Sequence, residues 1–230
     1  MFRMHGCVPF TASPTPHKHV LDSPGSRRIA ITRHVPQKVR IIGGIWKRTP
    51  LPVLDLAVLR PTPNHVRETL FNWLGQQLRG FVCLDLFAGT GALGFEAASR
   101  GAQRVVMVEH HTQIITQISS IRKKLNAQTI EIVHADALQF LARLPSAEFD
   151  IVFLDPPFDS NLLRHALPFI FPLITPRGSI YVESNAPLEE VWNTQTQPKL
   201  SWSPPQGWHI VHYAHTGAVH YHLLRRKNSE

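Results

Sequence analysis

Short apolar runs alternate with amphipathic stretches of helical spacing along most of this chain. Phe81 to Leu86 is an apolar run with one acid, Asp85, inside it, and reads as a buried strand. A glycine turn, Ala88-Gly89-Thr90-Gly91, leads from it into Ala92 to Ala98, which has the composition of a helix start. Arg104 to Glu109 predicts a second strand. His111 to Asn126 predicts a helix, with Ile114, Ile115, Ile118, Ile121 and Leu125 on one face and Arg122-Lys123-Lys124 near its end. Thr129 to Val133 predicts a third strand, and a helix follows Asp136-Ala137 to about Leu144. Asp150 to Leu154 predicts a fourth strand, ending in Asp155-Pro156-Pro157-Phe158. A helix over about Leu162 to Ile174, a strand over Ser179 to Glu183 and two strands between Gly207 and Leu224, around His215-Thr216-Gly217, complete the pattern. Strands alternating with helices, then a closing hairpin, predict an α/β fold with a mostly parallel sheet and an antiparallel edge strand.

The region before Phe81 follows other rules. Lys38 to Trp46 alternates weakly around Gly43-Gly44, which predicts a strand or short hairpin. Arg60-Pro61-Thr62-Pro63 breaks the chain, with Thr62 placed to cap a helix and Pro63 at its first position. Val66, Leu70, Trp73, Leu74 and Leu78 then mark one helical face, with Arg67 and Glu68 pointing elsewhere. Residues 1–36 are rich in Pro, Ser, Thr, His and Arg without periodicity and read as a disordered basic tail. A transit peptide or a start placed too far upstream would look the same. The expected organisation is therefore a tail over 1–36, a strand or hairpin and helix over 37–80, and an α/β domain over 81–226.

Charge sharpens this division. The 230 residues carry 24 Lys and Arg against 16 Asp and Glu, a net charge of +8. Nine of those cations and one of those acids (Asp22) lie between Met1 and Arg48, so the remainder is balanced at fifteen of each. A neutral domain with a basic arm suits a polyanion partner such as nucleic acid, and equally a solvated tail. The apolar runs are strand-length, well short of the roughly 20 residues a membrane-spanning helix needs. Cys7 and Cys83 make an unpromising disulfide pair, and no apolar signal core opens the chain, so a reducing cytoplasm is the expected compartment.

The candidate chemistry sits at the strand ends. Ligands of open parallel sheets bind there, and four acids fall at or just beyond four successive ends: Asp85, Glu109, Asp136 and Asp155. Unpaired buried carboxylates are costly, which makes four in a row hard to assign to packing. Strand, glycine turn and helix open a nucleotide-type βαβ unit, so Phe87, Ala88, Gly89, Thr90 and Gly91 are candidate cofactor contacts. Glu109 follows Gly89 by 20 residues, where an acid can take both ribose hydroxyls. Asp136, with Ala137 beside it, can accept from an exocyclic base amine. Gly89 to Gly94 also matches the dinucleotide fingerprint, which keeps a nicotinamide enzyme open. Asp155-Pro156-Pro157-Phe158 favours amine chemistry. A base lying on Phe158 can donate its amine hydrogens to the Asp155 carboxylate and the Pro156 carbonyl, aiming the nitrogen lone pair at a donor on the glycine loop. The fourteen histidines include His209, His212 and His215 spaced by three, but that spacing suits no common zinc pattern, and no metal is expected.

DLFAGTGALG, Glu109, Asp136 and DPPF together resemble the class I S-adenosylmethionine-dependent methyltransferases that act on exocyclic base amines. RIIGGIWKRTPL and RPTPNHVRETLFNWL resemble the N-terminal signature of the RsmD-type enzymes, over roughly Val39 to Leu224. The resemblance implies a Rossmann-like fold, S-adenosylmethionine as cofactor, and transfer of methyl to the 2-amino group of guanine 966 in 16S ribosomal RNA, by a protein expected to be monomeric. Asp155, Pro156, Pro157 and Phe158 become the catalytic candidates. Arg40, Lys47, Arg48, Arg60 and Arg67 become candidate RNA phosphate contacts. Asn64 and His65 depart from the acid and arginine usual for the family, and the long arm is not a family feature.

Overall fold

The computed structural model describes residues 39–56, 61–144, 149–158, 160–192 and 205–227. The tail over 1–36 and Arg60 therefore lie outside the described residues. Strand β3 (Val82–Asp85) is central, with β4 (Arg104–Glu109) and then β5 (Ile130–His134) parallel on one side. On the other side lie β6 (Phe149–Leu154) and β7 (Ile174–Ser184), also parallel, then β9 (Val219–Arg226) and β8 (Trp208–Thr216). β9 is antiparallel to both of its neighbours, so the closing hairpin makes the antiparallel edge of a seven-stranded sheet.

Strand order reverses between β3 and β6. That switch opens a crevice at their carboxyl ends, and Asp85 and Asp155 are the residues that reach it.

Both faces of the sheet are covered, which is why its inner strands read as nearly unbroken apolar runs. Cys83, Val105, Met107, Ile151 and Phe153 point into one core, whereas Leu84, Val106, Val108, Val152 and Leu154 point into the other. The first core is shared with α1 (Asn64–Leu74), α2 (Ala92–Ser99) and α3 (Thr112–Lys124), and the second with α4 (Ala137–Arg143) and α5 (Leu162–Ile170).

Several elements differ from the pattern reading. The helix expected over 162–174 contains Pro168 and stops at Ile170. A 3-10 turn follows (Phe171–Leu173), and β7 starts at Ile174, five residues before the expected strand. A short helix, α6 (Leu188–Trp192), was not anticipated.

The Gly43-Gly44 pair marks a close approach as well as a turn. Residues 39–40 (β1) pair with 50–51 (β2), and a Cβ on Gly44 (φ +73°) would lie 1.8 Å from the Ser99 carbonyl oxygen. The hairpin is thereby pressed onto the end of α2, where Ile45 N–H donates to Ser99 O at 2.8 Å and Trp46 N–H to Ser99 Oγ at 2.9 Å.

Candidate active site

The glycine turn works as the strand–turn–helix pattern requires, for reasons visible residue by residue. Gly91 N-caps α2 in a left-handed conformation (φ +75°), which glycine adopts without strain. A Cβ there would meet the Phe95 ring at 2.8 Å, so this glycine serves packing against α2 as much as ligand approach. At Gly94 a Cβ would strike Met107 at 2.3 Å and approach Asp85 Oδ2 at 3.1 Å; its absence lets α2 lie directly on β3 and β4. Gly94 N–H donates to Asp85 Oδ2 at 3.0 Å.

The four strand-end acids converge on this end of the sheet with different roles. Asp85 is buried, and burial pushes its carboxyl up to about 7, the charges of Asp155 and Glu109 adding to the effect while the Gly94 N–H opposes it. Glu109 accepts the Gly89 N–H on Oε2 at 3.0 Å and the His110 and His111 N–H groups on Oε1 at 2.8 and 2.9 Å. It thus ties the glycine turn to the end of β4. Asp136 is exposed and caps α4 by accepting from Gln139 N–H at 3.0 Å. Phe87 is half-buried beside Ala88, and Ala137 is buried at the start of α4.

Asp155 leaves β6 half-buried, and the packing around its carboxyl raises it to about 7. Its Oδ2 accepts the Thr62 hydroxyl at 3.2 Å, which favours the ionised form. Thr62 is therefore not the cap of α1. Pro63 occupies the N-cap position with no side-chain cap, and Thr62 has turned toward the acid. Pro156 is buried, Pro157 is exposed with its carbonyl accepting from Ser160, and Phe158 is half-buried. These residues line a small cleft with Glu183, Ser184 and Asn185. Glu183 is itself buried at the end of β7 and accepts the Tyr181 hydroxyl at 2.8 Å. Burial and the Asp155 charge push its carboxyl well above the ordinary range, against the Tyr181 and Thr62 hydroxyls and Arg67.

Sequence reasoning misplaced Arg67 and missed Glu96. Arg67 was expected to reach an RNA phosphate, but its side chain is fully buried and unavailable to one. Its guanidinium contacts Glu96 at 3.4 Å, Asn64 Oδ1 at 2.6 Å and the Arg40 carbonyl at 2.9 Å. Burial depresses the guanidinium, and Glu96 is the principal group opposing that. Glu96 also pairs with Arg100 at 2.8 Å and accepts the Ile42 and Gly43 N–H groups at 2.7 Å each. One buried acid on α2 thus anchors both the N-terminal hairpin and α1. An acid inside the otherwise apolar ALGFEAAS, with Arg100 four residues on, was the available signal. Glu183 had one too, as a fifth strand-end acid.

Arg40, Lys47 and Arg48 are exposed, as surface phosphate contacts would need to be. Four histidines of the closing hairpin stack on rings: His212 lies on Trp73 at 5.0 Å, His215 on His220 at 5.3 Å, and His222 on Tyr213 at 4.9 Å. Trp208 packs against Phe171. Among the described residues no group of three or more His, Cys, Asp or Glu is placed to hold a metal. No described helix is long and apolar enough to cross a membrane. A wide polar concavity of about 520 Å³ opens by Arg104, Arg122 and Thr129, at the opposite end of the sheet from the acids. Its Arg104 is paired with Glu131 at 2.7 Å.

The chain is similar to known proteins. The ribosomal RNA small subunit methyltransferase D of Haemophilus influenzae is 36% identical over 193 residues, covering 82% of this chain and 94% of the relative. That of Escherichia coli K12 is 37% identical over 83% of this chain and 91% of its own. Among solved structures, the Escherichia coli yhhF protein, described as a methyltransferase, aligns with a TM-score of 0.70 at 35% identity, covering 83% of this chain and 98% of that one. A Haemophilus influenzae protein, HI0767, described as a methylase, aligns with a TM-score of 0.65 at 34% identity, over 83% and 99%. The family described as conserved hypothetical protein 95 matches residues 39–224. The chain belongs to that family, the one that holds the RsmD-type enzymes, and it has their Rossmann-like methyltransferase fold.

Proposed function

We propose that this protein transfers a methyl group from S-adenosylmethionine to the exocyclic 2-amino group of a guanine in 16S ribosomal RNA, guanine 966 by the family resemblance. The observation that carries the reading is the position of Asp155. It stands at the switch point of the sheet beside the Asp85–Gly94 contact, and Pro156, Pro157 and Phe158 line a cleft directly after it.

The residues present suit the cofactor. Gly89 and Gly91 form a left-handed turn at the start of α2, Glu109 stands next to that turn with its carboxylate oriented by three N–H groups, and Asp136 presents an exposed carboxylate one strand further on. Bound there, S-adenosylmethionine supplies an electrophilic methyl group on a sulfonium. The protein's part is alignment, which supplies much of the barrier reduction when one reactant is already activated.

The guanine amine is a weak nucleophile because its lone pair is delocalised into the ring. Accepting its hydrogens at Asp155 Oδ1 or Oδ2 and at the Pro156 carbonyl pulls the nitrogen toward tetrahedral geometry. Phe158 offers a face for the ring. Removing the base from its stack costs a few kcal/mol, which contacts from Arg40, Lys47 and Arg48 to phosphates offset. Small-subunit RNA, free or in an assembly particle, is the proposed partner, and the cytoplasm the proposed compartment of a monomeric enzyme.

The test is methyl transfer from labelled S-adenosylmethionine to small-subunit RNA and partly assembled subunits of a host lacking the enzyme, followed by digestion to nucleosides. Label in 2-methylguanosine is expected. Asp155→Ala should abolish that label while cofactor affinity stays within about threefold. Label in a methyladenosine would overturn the choice of base. Absence of label together with tight binding of a nicotinamide nucleotide would overturn the reaction.

A further inference from the structure

Glu183 is buried in the cleft and has no part in the chemistry above. β6 and β7 are parallel with Leu154 opposite Val182, so the next residues, Asp155 and Glu183, leave adjacent strands side by side. Glu183 is 2% exposed, and Glu183 lines the same cleft as Pro156 and Phe158. The groups facing it are Tyr181 on its own strand, Tyr221 opposite on β9, Asp155 on β6, and Thr62 and Arg67 from the start of α1. The one cation among them, Arg67, is already paired with the buried carboxylate of Glu96. Two carboxylates so placed cannot both ionise without a large cost in a poorly polarisable site.

We propose that Asp155 and Glu183 share one proton, with Glu183 the neutral partner whose O–H holds the Asp155 carboxylate in place, making Glu183 a positioning residue for amine methylation. The charge belongs on Asp155 for two reasons. Asp155 is less enclosed than Glu183, half-buried against 2% exposed, and the hydrogen bond that the Thr62 hydroxyl makes is to Asp155 Oδ2 at 3.2 Å. Glu183 is enclosed, and burial outweighs the help that the Tyr181 and Thr62 hydroxyls give its anion.

This assignment rests on the amine-methylation reading only for its catalytic consequence. As the N–C bond forms and the C–S bond breaks, the electron pair of the latter stays on sulfur and the nitrogen carries one proton too many. That proton passes to the Asp155 carboxylate, so the pair goes from one proton to two and no second base is needed. Above the pH at which Glu183 also ionises, the two carboxylates repel and the amine loses its acceptor geometry. The turnover profile then falls on its alkaline side.

Infrared difference spectroscopy of the whole protein at neutral pH, wild type against Glu183→Gln, reads the proton directly and needs no RNA. A protonated-carboxyl band that the variant lacks and Asp155→Asn retains is expected. No such band, or a band removed by Asp155→Asn alone, overturns the proposal whatever the RNA substrate proves to be. In single-turnover methyl transfer, Glu183→Gln should lose the alkaline fall of kcat, because glutamine cannot ionise. A merely structural Glu183 would scale the profile without changing its shape, and that result also overturns the proposal. Tyr181→Phe provides a second variant should Glu183→Gln fail to fold. It removes a hydroxyl that stabilises the Glu183 anion and should move the alkaline fall to higher pH, and an unmoved fall counts against the pair.

Discussion

Replacing Thr62 by valine removes one hydroxyl and almost no volume. Thr62 is 5% exposed, so the new methyl group stays in packed surroundings, and what is lost is the 3.2 Å contact with Asp155 Oδ2 together with the hydroxyl's pull on Glu183. Hydrogen bonds to ionised groups contribute about 1.5–3 kcal/mol, and a contact of this length belongs at or below the weak end. About 1.4 kcal/mol corresponds to one pKa unit. The hydroxyl stabilises the carboxylate over the carboxylic acid, so its loss raises Asp155 further, from about 7 by about one unit. If turnover requires ionised Asp155, the ionised fraction at pH 7 falls from about one half to about one tenth, a rate loss of about fivefold. At pH 6 the loss approaches tenfold, and by pH 9 the two proteins converge to within about 20%. Single-turnover methyl transfer between pH 6 and 9, at saturating cofactor, measures this. A loss of the same size at every pH, or an acid limb that does not move, refutes the assignment of Thr62 to the ionised acid.

Other consequences follow from the same geometry. Glu96→Ala leaves the buried Arg67 and Arg100 side chains without their acid and two backbone N–H groups without an acceptor. Breaking a buried pair costs about 3–5 kcal/mol, so urea unfolding should show a loss of at least about 3 kcal/mol, and a loss below about 1 would mean the network is not holding the hairpin and α1. Asp85 is neutral in the folded protein up to about pH 7 but ionises near 3.8 when unfolded, so stability falls as pH rises through that window and stays low above it. Asp85→Asn should lessen that fall in a series of denaturation curves, the remainder coming from Asp155 and Glu183, which are raised as well; an unchanged slope would show that Asp85 ionises normally. Deleting residues 1–35, which hold five of the nine N-terminal cations, should weaken RNA binding more at low salt than at high salt and flatten the salt dependence. An unaltered slope would assign those cations to solvent.

The core architecture was legible because parallel strands buried on both faces leave an unmistakable apolar run. Arg104–Glu109 was expected and found with the same ends, and the glycine turn and the acid after each strand could be counted directly. Which acid does what was not legible. Asp85, Glu109, Asp136 and Asp155 look alike in the chain, yet one is buried against Gly94, one is clasped by three N–H groups, one caps a helix and one takes a hydroxyl from 93 residues away. Arg67 shows the limit from the other direction. A charged residue in an amphipathic helix reads as surface, and only the arrival of Glu96 from α2 makes its burial affordable.

The sequence by itself thus determined the alternation of elements, the end of the sheet where the acids gather and the chemical types available there, since all of these follow from local periodicity and from which residues terminate strands. Tertiary structure decided the pairings: Thr62 with Asp155, Arg67 with Glu96, and Glu183 beside Asp155. Those depend on segments far apart in the chain meeting in a space without water. There, the energy of a charge is set by its neighbours and not by its place in the sequence.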